Sequence, residues 1–192
     1  MISSKDPIYL ASKSPRRKEM LKMMGIKFKS LNLELDEILD QNQTPIKNVK
    51  RIALEKCLAA LDKVDVGIII TADTIVVIDG EIIGKPKNKK EAKEILTKLS
   101  GRSHSVYTGF SIANKRKNKI ITDYSLTKVY FRELSETEIS DYIKTGSPLD
   151  KAGAYGIQDD FGAVFVKKIN GCYYNVMGFP VSKIYKGIKE LV

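Results

Sequence analysis

Tryptophan is missing from this 192-residue chain, histidine occurs once and cysteine twice. A single histidine, His104, excludes a multi-histidine metal site and disfavours serine–histidine catalysis. It stands at the head of a predicted strand and reads as structural or surface. Cys57 and Cys172 lie far apart with no C-x-x-C pair, so neither a disulfide framework nor a zinc site is expected. Two reduced thiols fit a cytoplasmic protein. No apolar run approaches the roughly 18 residues of a membrane span. The first seven residues lack the apolar core and cleavage site of a signal peptide. Neither a P-loop (G-x-x-x-x-G-K-[ST]) nor a dinucleotide fingerprint (G-x-G-x-x-G) occurs. There is no internal repeat, low-complexity tract or Gly/Ser linker, so residues 1–192 read as a single domain.

What is abundant is positive charge. Lys and Arg number 33 against 23 Asp and Glu, a net +10. That excess favours anionic partners, whether nucleic acid, membrane surface or phosphorylated small molecules. Most lysines, such as Lys87, Lys89 and Lys90, suit solvated helix faces, and charge alone decides nothing.

Turn and cap residues punctuate the chain clearly. Ile8–Ser12 reads as a short buried strand running into Ser14-Pro15, a helix start that Gly25 closes. Thr44-Pro45 repeats that start, ahead of an apolar stripe of Ile46, Val49, Ile52, Ala53, Cys57, Ala60 and Leu61. Val66–Ala72 is a strand predicted to end at Asp73-Thr74. Asp79-Gly80 then joins Ile75–Ile78 to Glu81–Ile83 as a hairpin. Asn88 with Glu91, and Ser135 with Glu138, are capping boxes. Strands are expected over Ser105–Asn114 and Ile120–Arg132, joined by Lys115–Asn118. A further hairpin is predicted from Phe161–Ile169, Asn170-Gly171 and Cys172–Val176, followed by a helix from Pro180. This mixture predicts an α/β or α+β fold whose sheet is not purely parallel.

The richest stretch chemically is Ser12-Lys13-Ser14-Pro15-Arg16-Arg17-Lys18. Three cations occupy the first turn of a helix, where the macrodipole favours acids. An anion docked on the free N–H groups, caged by serine hydroxyls and guanidiniums, accounts for that placement. Asp73 follows a buried strand, where it can bind a divalent metal, act as a general base toward water, or cap a turn. Lys85, in Gly84-Lys85-Pro86, is a second phosphate contact or an exposed loop lysine. Asp36-Glu37 is a candidate acidic pair for metal. Lys56, among apolar positions, either snorkels or reaches a phosphate.

Read together, these residues resemble the Maf family. Leu10–Arg17, Ala72-Asp73-Thr74, Gly84-Lys85-Pro86, Ser100–Thr108 and Asp150–Gln158 occur in the family's order. Val176-Met177-Gly178-Phe179-Pro180 matches its closing motif, with phenylalanine where leucine is common. Any one motif is weak, but the ordered set spans nearly the whole chain. The resemblance implies an elongated mixed sheet flanked by helices, with two lobes and a central cleft, related in fold to inosine triphosphate pyrophosphatases. It implies an often dimeric nucleoside triphosphate pyrophosphatase that needs a divalent cation; the acidic candidates to hold Mg2+ or Mn2+ are Asp73 with Asp36 or Glu37, Glu37 being preferred. The family's proton acceptor falls on Asp73, and its phosphate contacts on Ser14, Arg17, Lys56 and Lys85. Positions associated with base choice fall on Arg16, Thr74 and Gln158. The Ala-Tyr-Gly-Ile-Gln form looks like the branch acting on dTTP and UTP. After Gln158 the family usually has Gly-x-Gly, whereas Asp159-Asp160-Phe161-Gly162 stands here, one residue longer. Both extra carboxylates are expected to point to solvent. The rival reading is a nucleic-acid-binding or cell-division regulator, suggested by the net charge and the family's link to septum formation. Against it, the aromatics fall mostly within strands, and the basic residues form no recognised binding motif. Neither a stable nucleic-acid partner nor a membrane partner is therefore expected.

Overall fold

Proline opens both N-terminal helices. In the computed structural model, which describes residues 2, 4–159 and 161–192, α1 (Pro15–Met23) and α2 (Pro45–Leu61) each carry proline in the first turn. There its missing N–H removes no intrahelical bond. Thr44 caps α2 by accepting from the Lys47 N–H, whereas the Ser14 side chain makes no cap on α1. Gly25, at φ +70°, takes the chain out of α1. At the head of α3 (Lys89–Leu99), Asn88 accepts from the Glu91 N–H, while the Glu91 carboxylate reaches the Lys87 N–H. A complete capping box of Ser135 and Glu138 starts α4 (Glu136–Lys144). Two more helices, α5 (Tyr173–Val176) and α6 (Val181–Leu191), end the chain.

Among the described residues seven strands build one mixed sheet: β1 (Ile8–Leu10), β2 (Lys29–Ser30), β3 (Ile68–Ile78), β4 (Glu81–Ile83), β5 (Ser103–Asn114), β6 (Lys119–Phe131) and β7 (Val166–Asn170). Their order is β2-β1-β3-β5-β6-β7, with β4 also on β3. β1 runs parallel to β2 and β3, while β3–β4 and β6–β7 are antiparallel. The fold is α/β, as the mixed signals predict.

Two sequence expectations need correction. β3 does not stop at Asp73 but runs unbroken to Ile78, so Asp73 lies mid-strand. No glycine or proline interrupts Ile68–Ile78, and nearly every residue in it is buried, so nothing favours a break. The second correction is that Cys172–Val176 is not a hairpin arm. The β-branched Thr127 captures the chain instead: its hydroxyl donates to the Cys172 carbonyl and accepts from the Cys172 N–H. Buried Asn175 then donates to Thr127 Oγ1 and the Val106 carbonyl, and the segment closes into α5.

The chain divides into two compact units. The first comprises Met1–Asp73, Thr108–Ser125 and Gly178–Val192. In it α2 buries Val49, Ile52, Ala53, Cys57 and Ala60, while Ile46 and Leu61 sit at the margin. Gly109 of β5 passes so close to α2 that an added Cβ would lie 2.2 Å from the Val49 carbonyl oxygen. The second unit comprises Thr74–Tyr107 and Leu126–Met177. Its core joins Val76, Ile78 and Ile83 to Leu96 and Leu99 of α3, Ile139 and Tyr142 of α4, and Phe131, Tyr155 and Phe165. His104 is buried there, edge-on to Phe131 and Tyr155, with Nε2 at 2.7 Å from the Tyr155 hydroxyl. Burial pulls its pKa down to about 4. Its role is structural.

Candidate active site

Strand alternation sets up the acidic centre of the first unit. Residues two apart on a strand share a face, so Thr71 and Asp73 point the same way. That face meets α2: the Thr71 hydroxyl donates to the Ala53 carbonyl at 2.7 Å, and Lys56 Nζ donates to Asp73 Oδ1 at 2.8 Å. Ala53 and Lys56 are three apart on the helix and hence neighbours on its buried stripe. Lys56 therefore does not snorkel. It is 8% exposed, Asp73 is 5% exposed, and a buried ion pair of this kind holds both side chains in place.

Glu37 completes the group, its Oε1 lying 2.7 Å from the same ammonium. The pairing singles out Glu37 from the acidic pair, since Asp36 stays exposed. The loop that carries Glu37 is pinned to α2. Arg51 donates to the Ile38 carbonyl at 2.6 Å, and buried Asn48 exchanges hydrogen bonds of 2.9 Å with the Asp40 N–H and carbonyl. Asn48 and Arg51 are positioning residues that the sequence reading overlooked. Their one signal was a polar pair bordering an otherwise apolar stripe.

Arg17 belongs to the same unit. Its Nε donates to the Gly178 carbonyl at 2.9 Å and its NH1 to the Ala72 carbonyl at 2.8 Å and Ser12 Oγ at 3.3 Å. Arg17 thus folds back onto the middle of β3 rather than splaying into solvent. Burial lowers its pKa, opposed by the nearby carboxylates of Asp73 and Glu37. Ser14 stands half-buried at the head of α1 and Arg16 is half-buried in its first turn, which contains no acidic residue. The Ser14 side chain makes no cap hydrogen bond there, and free N–H groups at a helix start are the kind that accept an anion.

In the second unit the remaining candidates are distributed differently. Thr74 follows Asp73 on β3, half-buried and on the opposite face by alternation. Lys85 is exposed, in an irregular segment whose Gly84 carbonyl accepts from the Gly153 N–H at 3.1 Å. Gly153 and Ala154 are both left-handed, at φ +74° and +59°. An alanine so placed costs roughly 1–2 kcal/mol, and buried Tyr155, held by His104, follows it. Gln158 is half-buried, and its Nε2 donates to Asp159 Oδ1 at 2.7 Å.

Asp159 overturns the expectation that it faces solvent. Besides Gln158, its carboxylate accepts from Ser147 Oγ at 2.6 Å and Tyr142 OH at 3.2 Å, and lies 3.0 Å from Lys151 Nζ. Four donors at once outweigh solvation of an otherwise unpaired carboxylate. Burial raises the Tyr142 phenol to about 12, so it stays a donor. Asp160 lies outside the described residues. This cluster escaped the sequence reading, although Lys151, within the Asp150–Gln158 run, was its one cationic marker.

Among the described residues no three His, Cys, Asp or Glu side chains converge as a ready metal cluster. Asp73 and Glu37 nonetheless offer hard carboxylate oxygens around one position that Lys56 Nζ occupies. One or two carboxylates, completed by water and phosphate oxygens, is the donor set magnesium favours. The pair fits such an ion.

Comparison with known proteins now decides the family. The profile of the Maf-like proteins matches residues 7–191. The chain belongs to the Maf family. Among its relatives, a protein of Chlorobium phaeovibrioides is 44% identical over 96% of this chain and 97% of its own. One of Clostridioides difficile is 45% identical over 95% and 94%, and one of Chlorobaculum parvum 46% over 99% and 96%. Each of these relatives is called a dTTP/UTP pyrophosphatase. A solved structure of the Staphylococcus aureus Ham1 protein shares 14% identity at a TM-score of 0.46, covering 65% of this chain and 71% of its own, too slight to add to the family match.

Proposed function

We propose that this Maf protein is a nucleoside triphosphate pyrophosphatase acting on dTTP and UTP. The observation that carries the reading is the Asp73–Lys56–Glu37 centre beside Arg17, within a chain whose near-full-length relatives bear that activity's name. Water adds to the α-phosphorus, the α–β anhydride breaks, and pyrophosphate leaves as the monophosphate forms. Asp73 takes the proton of the attacking water while Lys56 fixes the orientation of its carboxylate. Arg17, Ser14 and Lys85 contact the phosphates, with Lys56 positioned to add charge as the bond breaks. Asp73 and Glu37 hold the divalent cation, magnesium or manganese. When bound, that ion neutralises phosphate oxygens and the growing negative charge. Arg16, Thr74 and Gln158 select the base.

No helix among the described residues is long and apolar enough to cross a membrane. We place the protein in the cytoplasm as a single-domain enzyme, and as a homodimer with no stable nucleic-acid partner. The test is a nucleotide panel with product analysis. UTP and dTTP should be turned over well ahead of ATP and GTP, giving pyrophosphate and monophosphate, with all turnover lost in EDTA. Orthophosphate and a diphosphate as products would contradict the bond assignment.

A further inference from the structure

The carboxylate of Asp159 is unusually full. Ser147, Tyr142 and Lys151 all converge on Oδ2, leaving Oδ1 to the Gln158 amide. The surroundings enforce this placement. Tyr142 is fully buried and Lys151 is 8% exposed. The Tyr142 hydroxyl also accepts from the Gly156 N–H, and Lys151 donates to the Ser147 carbonyl at 2.6 Å. Gly156 makes room for it, since an added Cβ there would lie 2.5 Å from Asp159 Oδ2. Asp159 is also fixed along the backbone, its N–H donating to the Gly156 carbonyl and its own carbonyl accepting from the Ala163 N–H.

An ionised carboxylate is acceptor-only, so the Gln158 group that faces it must be NH2 and not the carbonyl oxygen. The amide is thereby prevented from flipping. One N–H is spent on Asp159, and Oε1 and the second N–H are left as an acceptor and a donor whose order is fixed. That order complements a base edge presenting an N–H donor beside a carbonyl, as uracil and thymine do at N3 and O4. Cytosine has the same size with the polarity reversed, N3 accepting and the 4-amino group donating, and needs the flipped amide.

We propose that Asp159 is a positioning residue for base choice: by holding the Gln158 amide in one orientation, it makes the protein read uracil and thymine and refuse cytosine. The proposal rests on the dTTP/UTP reading and on Gln158 as the base-contacting residue. The geometry that carries it lies wholly within the second unit, in the extended stretch after Gln158 where the family usually has Gly-x-Gly.

The test compares kcat/KM for UTP and CTP in wild type and in Asp159→Asn. The neutral amide has the same shape but tolerates either face of Gln158. The UTP-over-CTP ratio is expected to fall about tenfold, with CTP gained as well as UTP lost, because discrimination rests on leaving polar groups unpaired. A purely structural role would lower both nucleotides together and keep the ratio. A wild-type preference that survives unchanged in a folded Asp159→Asn overturns the lock and spares the substrate reading. A wild-type ratio near one overturns the uracil reading and the lock with it. Should Asp159→Asn fail to fold, nitrogen-15 NMR of the wild-type protein decides. The Gln158 side-chain amide should exchange with solvent about tenfold more slowly than exposed amides, and exchange at the exposed rate refutes the lock.

Discussion

Two buried lysines, Lys56 and Lys151, each meet two carboxylates, and the contrast between their settings separates chemistry from positioning. In the first unit a single ammonium sits between Asp73 and half-exposed Glu37, with the cationic head of α1 in the same unit. In the second unit Lys151 is one of four donors that fill Asp159, with Asp150 as its other carboxylate. At the first centre the carboxylates outnumber the cation, which suits exchange for a metal or phosphate-bound ion. At the second the donors saturate the carboxylate, which suits a fixed scaffold. A buried charge pair by itself is weak support for stability. What it is surrounded by indicates what it is for.

Breaking each carboxylate separately should expose the difference most strongly. Asp73→Asn is expected to lower kcat by about 10²–10⁴-fold for every triphosphate in a protein that still folds, Lys56 keeping Glu37 as its partner. Near-normal kcat in that variant would remove Asp73 from the proton-accepting role. Asp159→Asn, by contrast, should change the ranking of nucleotides.

Removing the lysines sharpens the comparison through stability rather than turnover. Lys56→Met takes the ammonium from buried Asp73, and about 3 kcal/mol should be lost in denaturant titrations; Lys151→Met removes one of four donors from Asp159 and should cost less. Millimolar magnesium should restore part of that loss in Lys56→Met, because Asp73 and Glu37 can take the ion in place of the ammonium. It should restore none in Lys151→Met. Equal rescue of both variants, or of neither, would erase the distinction between the two centres.

A further effect is confined to the second unit. His104 has a folded pKa of about 4 against 6.5 when unperturbed, so the unfolded chain binds the proton more readily between those values. Unfolding takes up a proton in that window, and stability therefore falls as pH drops from about 6.5 to about 4. The loss approaches about 3 kcal/mol. Subtracting the pH–stability curve of His104→Gln from that of wild type isolates this component from carboxylates that titrate at the acid end, such as Glu138, held down to about 2 chiefly by its Arg132 hydrogen bond. A difference curve flat above pH 4 would refute the assignment.

The sequence by itself determined where most elements begin and end, and which residues to watch. Thr44-Pro45, Asn88, Ser135–Glu138 and Asp79-Gly80 all act on backbone groups a few residues away, so their effect can be read without knowing the fold. The family's motifs likewise survive as ordered text. Only the tertiary structure decided how the charges pair. Lys56 and Asp73 stand 17 positions apart, and Arg17 and Gly178 161 apart; packing α2 onto β3 brings the first pair together, and each long-range bond depends on which faces are covered. The same holds for α5, which forms because Thr127, 45 residues earlier, satisfies the backbone of Cys172. Asp159 is the sharpest case. An acidic residue in a loop reads as solvent-facing until four donors from distant and neighbouring positions converge on it, and only folding assembles donors enough to offset the water it gives up.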